Sequence, residues 1–236
     1  MIIDAHVHWS GGVCPGDQRA GAYDLLDAME GAGVRKAVVV GLDPEDRETI
    51  DKVANDYATR LAAFLDVVPA ESTSTAVREA VPCAVGLGES YIRCGSSELP
   101  EDYFRPVLEI ARSENLPVML HTGDFSYTAP IMMAGMVRDF PDVTFILAHM
   151  GSLAFVRDAI ELARHLPNVY LETSGMTSAT MLRQAVADIG ADRILFGSDY
   201  PFWHPAVERT RVEAAQLGQA STRLIMGENA ARLLDL

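Results

Sequence analysis

The chain has 236 residues, 49% hydrophobic and 22% charged, so it can bury a sizeable core and is neither disordered nor fibrous. Its 19 basic and 33 acidic residues leave a formal charge of −14, a surplus that repels phosphate backbones and anionic lipid. No nucleic acid and no membrane is therefore expected as a partner, and a small-molecule substrate is.

In chain order, short apolar runs rich in β-branched residues alternate with longer stretches of helical period, the pattern of repeated βα units. The expected strands are Ile2–His8, Ala37–Gly41, Ala63–Val68, Ala84–Tyr91, Pro117–Thr122, Thr144–His149, Val169–Thr173 and Ile194–Ser198. The expected helices are Ala22–Gly31, Pro44–Arg60, Pro100–Glu114, Ala129–Phe140, Leu153–His165, Ser178–Ile189, Pro205–Leu217 and Thr222–Leu234. Most close on Gly, Asn or Pro, which stop helices. Each strand is read as followed by a helix-like stretch, and the alternation runs from end to end. Eight units of about 30 residues predict an α/β fold, a single-domain (β/α)8 TIM barrel over residues 1–236. A doubly wound sheet would more often have fewer strands and a Gly-rich first turn.

The longest nearly apolar run, Ala129 to Val137, is far short of the ~20 residues that cross a bilayer. No basic segment precedes an apolar one, so no leader is expected. Cys14, Cys83 and Cys94 are odd in number and form no C-x-x-C pair, which points to a reducing, cytoplasmic setting. Cys83, with no base nearby in sequence, reads as a small core hydrophobe. Lys36 and Lys52 are the only lysines, so Schiff-base or carbamylated-lysine chemistry has two candidates. There is no Walker-type loop, no G-x-G-x-x-G after the first strand, no H-E-x-x-H and no G-x-S-x-G.

Active-site groups of a barrel gather at the carboxyl ends of its strands, and four of the six histidines fall there: His6, His8, His121 and His149. Strand side chains alternate, so His6 and His8 point the same way and can grip one ion. Asp199 closes the eighth strand, and barrel closure brings it beside the first. A lone strand histidine is usually a hydrogen-bonded interior residue. Four at strand ends on one face, next to a carboxylate, favour a metal site. His165 lies off that face and is expected to cap a helix end.

The segments Ile3-Asp4-Ala5-His6-Val7-His8, Leu120-His121-Thr122-Gly123, Leu147-Ala148-His149-Met150-Gly151, Phe196-Gly197-Ser198-Asp199-Tyr200-Pro201-Phe202 and Gly227-Glu228-Asn229-Ala230-Ala231-Arg232-Leu233-Leu234, in this order, carry a family likeness. The chain resembles the amidohydrolase superfamily of metal-dependent barrel enzymes, in the amidohydrolase-related branch that includes aminocarboxymuconate-semialdehyde decarboxylase. The resemblance implies that His6, His8, His121 and Asp199 hold a divalent metal, usually zinc. It places His149 beside the reacting water or on a second ion. Glu89 departs from many relatives, which carry a lysine near this point. It resembles the binuclear deoxyribonuclease relatives, where a glutamate bridges two ions, or it orients a ligand histidine through a hydrogen bond. One or two zinc ions are thus implied.

Around this site, Arg93 shares the parity of Glu89 and Tyr91 and can clamp a substrate carboxylate, or be an ordinary loop arginine. Arg19 and Trp203 are further candidates for binding substrate, with Trp9, Phe125 and His204 as possible pocket walls; loop packing is the alternative for each. Glu172 can project into the barrel and bind a ligand histidine or substrate. The activity first expected is hydrolysis of an ester, lactone or amide of a small molecule. Asp199 would accept the water's proton and His149 would stabilise developing negative charge, both as catalytic groups. Non-oxidative decarboxylation of a small unsaturated or aromatic acid is the alternative. A deoxyribonuclease conflicts with the charge of −14, and nothing favours a metal-binding barrel without turnover. A homo-oligomer is compatible with the sequence but not indicated by it.

Overall fold

The structure is a computed structural model that describes residues 1–9, 22–68, 72–91 and 100–236. Among them, eight strands follow one another in sequence order around one sheet: β1 (Ile2–His8), β2 (Val34–Leu42), β3 (Leu61–Leu65), β4 (Gly86–Ser90), β5 (Val118–His121), β6 (Phe145–Ala148), β7 (Val169–Glu172) and β8 (Ile194–Leu195). Each pairs with the next in parallel. The ring is drawn together just past the end of β8. Phe196 O accepts from Ala5 N at 2.8 Å, His6 O from Asp199 N at 2.6 Å, and Tyr200 O from His8 N at 2.7 Å. The fold is the (β/α)8 barrel that the alternation predicts.

The connecting helices are α1 (Ala22–Ala32), α2 (Arg47–Asp51), α3 (Thr75–Ala80), α4 (Pro100–Glu114), α5 (Ala134–Asp139), α6 (Ser152–His165), α7 (Ala179–Ile189), α8 (Pro205–Ala214), α9 (Gln219–Arg223) and α10 (Asn229–Leu234). No helix among the described residues is long and apolar enough to cross a membrane. Helix α3 supplies the helical stretch between β3 and β4, for which the expected helices give no range. Ser74 caps it by accepting from Val77 N at 3.2 Å, and six residues are too short for a helical period to show. The expected helix Pro44–Arg60 is α-helical only over α2, widens over Lys52–Asp56 and ends in a turn. The stretch Ala129–Phe140 opens as a tight turn at Pro130–Met133 and becomes α-helical at Ala134. Strand β2 starts at Val34, where Arg35 and Lys36 disguise its entry. Strand β8 stops at Leu195, because Phe196 N turns away to Ile225 O at 2.9 Å.

Two apolar clusters hold these layers. The larger joins strand residues such as Val39, Leu87 and Leu147 to buried helix residues such as Leu25, Leu108 and Val156. The smaller is drawn almost wholly from strands (Val38, Val40, Phe64, Met119, Ile146, Ala148 and Leu195), with Ala230 and Leu234 of α10. Being made of strand side chains, it fills the interior of the barrel beneath the site. Cys83 is partly buried against the larger cluster, as a small hydrophobe should be.

Phe64 is fully buried, and a Cβ at Gly86 would stand 2.2 Å from its ring, so the glycine makes room for it. Truncating that ring leaves a cavity that backbone cannot collapse to fill. Phe64→Ala is expected to lower stability by about 3–5 kcal/mol, read from the shift in urea midpoint. A loss below ~1 kcal/mol would show that this interior layer is not tightly packed.

Candidate metal centre

The first strand brings its two histidines to the mouth on one face, with ring centroids 5.2 Å apart. Asp199 follows β8 with a left-handed backbone (φ 58°) that its short polar side chain tolerates, and its amide is tied to His6 O. His8 Nε2 lies 2.9 Å from Asp199 Oδ1, and His6 Nε2 lies 3.4 Å from the same oxygen. On the far side, His121 ends β5, and His149 follows β6 with φ of 65°. Thr122 Oγ1 fixes that turn by donating to Ala148 O at 2.5 Å and accepting from Gly151 N at 2.8 Å.

Glu89 of β4 stands between these groups. Its Oε1 lies 2.8 Å from His121 Nδ1 and 3.2 Å from His149 Nε2. Its Oε2 lies 3.4 Å from His6 Nε2 and 3.8 Å from His8 Nε2. His6, His8 and Asp199 each bring a ligand atom within 4.8 Å of the others, and so do Glu89, His121 and His149. His6, His149 and Glu172 form a third such group. The residues named from sequence therefore meet in one place, with His121 grouped on the side of Glu89 and His149. His121 Nε2 also faces Asp124 Oδ2 at 2.8 Å.

The charges in this buried space are mutually dependent. Burial raises the Glu89 carboxyl, but the charge of His6 and hydrogen bonds with His121 and His149 hold it well below the usual carboxylate range. Burial depresses His6, yet Glu89, Asp199 and Glu172 together hold it well above the ordinary imidazole value. His149 is likewise raised, against its burial, by Glu89. Two central atoms, His6 Nε2 and Asp199 Oδ1, are buried with no hydrogen bond. Such atoms cost roughly 1–3 kcal/mol each if left so. Imidazoles and carboxylates around orphaned atoms fit a divalent ion of the zinc type.

Other residues singled out from sequence fall in different places. Trp203 reaches the site, its ring centroid 6.1 Å from that of His149. Trp9 packs against Tyr57 and the larger core cluster, and His204 caps α8 by accepting from Ala206 N at 3.2 Å. Phe125 stacks on Tyr127. His165 sits in the last turn of α6, 2.9 Å from Glu161 Oε1, away from the site as expected. Arg19, Arg93, Cys14 and Cys94 lie outside the described residues. Four contributors went unassigned from sequence, Asp124 among them. Tyr91 stacks on His121 with centroids 4.0 Å apart, Phe202 meets His8 edge-on at 5.8 Å, and Ser174 bonds His149 Nδ1 at 2.8 Å. Tyr91 and Ser174 each stand two residues past a site carboxylate, a spacing that could have revealed them.

A parallel barrel with imidazoles and carboxylates converging at the carboxyl ends of its strands is the frame of a metal-dependent barrel enzyme. The chain belongs to the amidohydrolase family, whose model matches residues 3–236. γ-Resorcylate decarboxylase of Rhizobium sp. is 30% identical over a 125-residue alignment covering 45% of this chain and 38% of that protein. The chain thus spans well under half the length of the curated relatives it matches. The fold superposes on 2,6-dihydroxybenzoate decarboxylase from Rhizobium with a TM-score of 0.73 at 20% identity, covering 99% of this chain and 98% of the other. A zinc-bound amidohydrolase from Burkholderia multivorans gives 0.76 at 16% identity, covering 100% and 99%.

Replacing both His6 and His8 with alanine is expected to abolish zinc binding, measured by elemental analysis after reconstitution. The far-UV circular dichroism should stay native, because the apolar layers rather than an ion hold the barrel. Stoichiometric zinc in the double variant would overturn this assignment.

Proposed function

We propose that the chain is a metal-dependent decarboxylase of a small aromatic or conjugated acid. The observation that carries this reading is the aromatic rim. Tyr91, Phe202 and Trp203, 49%, 49% and 37% exposed, each lean on a different imidazole of the centre: His121, His8 and His149. Large aromatic side chains left open to solvent around buried polar groups make a mouth with flat apolar walls, suited to a planar ring that presents its polar atoms inward. The similarity to γ-resorcylate decarboxylases supports the same substrate class and favours this reading over the hydrolysis first expected from sequence.

In this reading, His6, His8 and Asp199 would hold a divalent ion, with zinc as the expected metal, whose Lewis acidity would act on substrate oxygens. His149 is the acid. Its Nδ1 is engaged by Ser174, so Nε2 is the nitrogen turned inward. From there it delivers a proton to the ring carbon that bears the carboxylate. The bond from that carbon to the carboxylate then breaks, its electron pair returns to the ring, and carbon dioxide leaves. Arg93 and Arg19 are the cations proposed to receive the acid's charge before it is lost.

Glu89 favours a second reading. Its two oxygens face different triplets, the placement needed to bridge two ions in a hydrolase, with His149 then a ligand and Asp199 the base. The two readings separate on His149 and Asp199, assayed at full zinc occupancy. For decarboxylation, His149→Ala should cut carbon dioxide release from dihydroxybenzoates by ~10²–10⁴-fold, more than Asp199→Asn does. Near-normal release by the histidine variant overturns the acid assigned here. Hydrolysis of an ester or lactone panel, lost chiefly in Asp199→Asn, would establish the other reaction.

The number of ions has its own test. Glu89→Gln should lower zinc stoichiometry if the carboxylate bridges, and only weaken affinity if it orients imidazoles. Stoichiometry unchanged at saturating zinc removes the bridge.

A further inference from the structure

Glu172, at the end of β7, is fully buried, and its one ion-pair partner among the described residues is His6. Its Oε2 lies 3.0 Å from His6 Nδ1 and accepts from Ser174 Oγ at 2.7 Å and from His149 N at 3.1 Å. Its Oε1 accepts from Ser174 N at 2.5 Å. One carboxylate thus joins the ends of β1, β6 and β7. The space for it is prepared, since a Cβ at Gly197 would stand 2.3 Å from Oε1 and 2.8 Å from His6 Cβ.

Hydrogen-bond polarity then fixes the rings. An ionised carboxylate only accepts, so His6 Nδ1 must carry the proton between them. The Ser174 hydroxyl has one proton and donates it to Glu172, so at the 2.8 Å contact with His149 it accepts, and His149 Nδ1 must also be protonated. In both histidines the other nitrogen, Nε2, is turned to the centre, where it faces Glu89. With three donors on Oε2 and one on Oε1, Glu172 has little capacity left to ligate an ion itself.

We propose that Glu172 is the positioning residue of this centre, setting the ring orientation of His6 directly and of His149 through Ser174, so that both present Nε2 to the site. The inference rests on the metal reading of that site and extends it to residues that do not touch the ion. Carboxylates that hold the far nitrogen of a ligand histidine commonly account for 10–100-fold in metal affinity.

The test uses zinc alone and the whole chain. In the zinc-loaded wild type, ¹⁵N-histidine NMR should show protons on Nδ1 of both His6 and His149. Ser174→Ala should alter the His149 Nδ1–H signal and leave that of His6 in place. Glu172→Gln puts an amide NH2 among groups that need acceptors, and should weaken zinc binding by ~10–100-fold in competition with a chromophoric chelator. A folded Glu172→Gln variant with wild-type zinc affinity overturns the proposal. So does a wild-type spectrum in which His6 carries its proton on Nε2, a result that needs no variant to fold. A wild-type chain that binds no zinc overturns the metal reading and this inference with it.

Discussion

Closure of the barrel between its first and last strands is the constraint from which the site follows. Three backbone hydrogen bonds make it, and two of them involve His6, His8 and Asp199 as donors or acceptors. The peptide groups that shut the ring are those whose side chains converge at its mouth. Their relative position is therefore set by the sheet, which is stiffer than loops that carry the rim aromatics. A left-handed backbone at Asp199 and His149 then turns each side chain off the strand direction. Such conformations persist only where the surroundings over-determine them.

Within that frame, the centre is a problem of charge. Glu89 and Glu172 are buried without a lysine or arginine against them among the described residues, so their negative charge has to be met by imidazoles or by an ion. Protonated His6 and His149 serve when no ion is present, the direction in which both are shifted. An ion and a proton would thus compete for the same nitrogens, which makes metal affinity fall at low pH. Sharing of carboxylates between histidines also means that no member can be altered without moving the others.

Much of this was legible in the sequence, for identifiable reasons. The period of two in β1 fixed His6 and His8 on one face, and Asp199 at the end of the last strand had to lie beside them once the barrel closed. Glu172 was visible only as a residue able to point inward. Its partners come from β1, β6 and the turn after its own strand, and no local pattern encodes three elements meeting at one carboxylate. Phe202 was hidden differently. Aromatic residues in loops pack in many ways, and a ring acquires a role only once its neighbour is known. The division of the ligands follows the order of strands around the ring. Glu89, His121 and His149 stand at or just past the ends of the adjacent β4, β5 and β6, and His6, His8 and Asp199 at or past those of β1 and β8, whereas the family likeness set His121 with the latter group.

Hydrolysis and decarboxylation part company over what His149 is free to do. As a ligand, its Nε2 gives its lone pair to an ion and can hold no proton. As an acid, it must hold one on that same atom. Its Nδ1 is committed to Ser174 in either case, so the choice falls entirely on Nε2. That atom now faces Glu89 Oε1 and His121 Nδ1, both at 3.2 Å. A carboxylate there stabilises a proton on Nε2 as well as it would a cation next to it. The rim adds the asymmetry: Trp203 and Tyr91 lie over the His149–His121 side, where a flat ring would rest within reach of that proton. An aromatic floor gives a hydrolytic water nothing to bond to, whereas it gives an aromatic acid a surface to lie on. This geometry supports the proposed role of His149 as the proton's carrier, with Glu172 and Ser174 behind it and an aromatic rim in front that suits a planar acid.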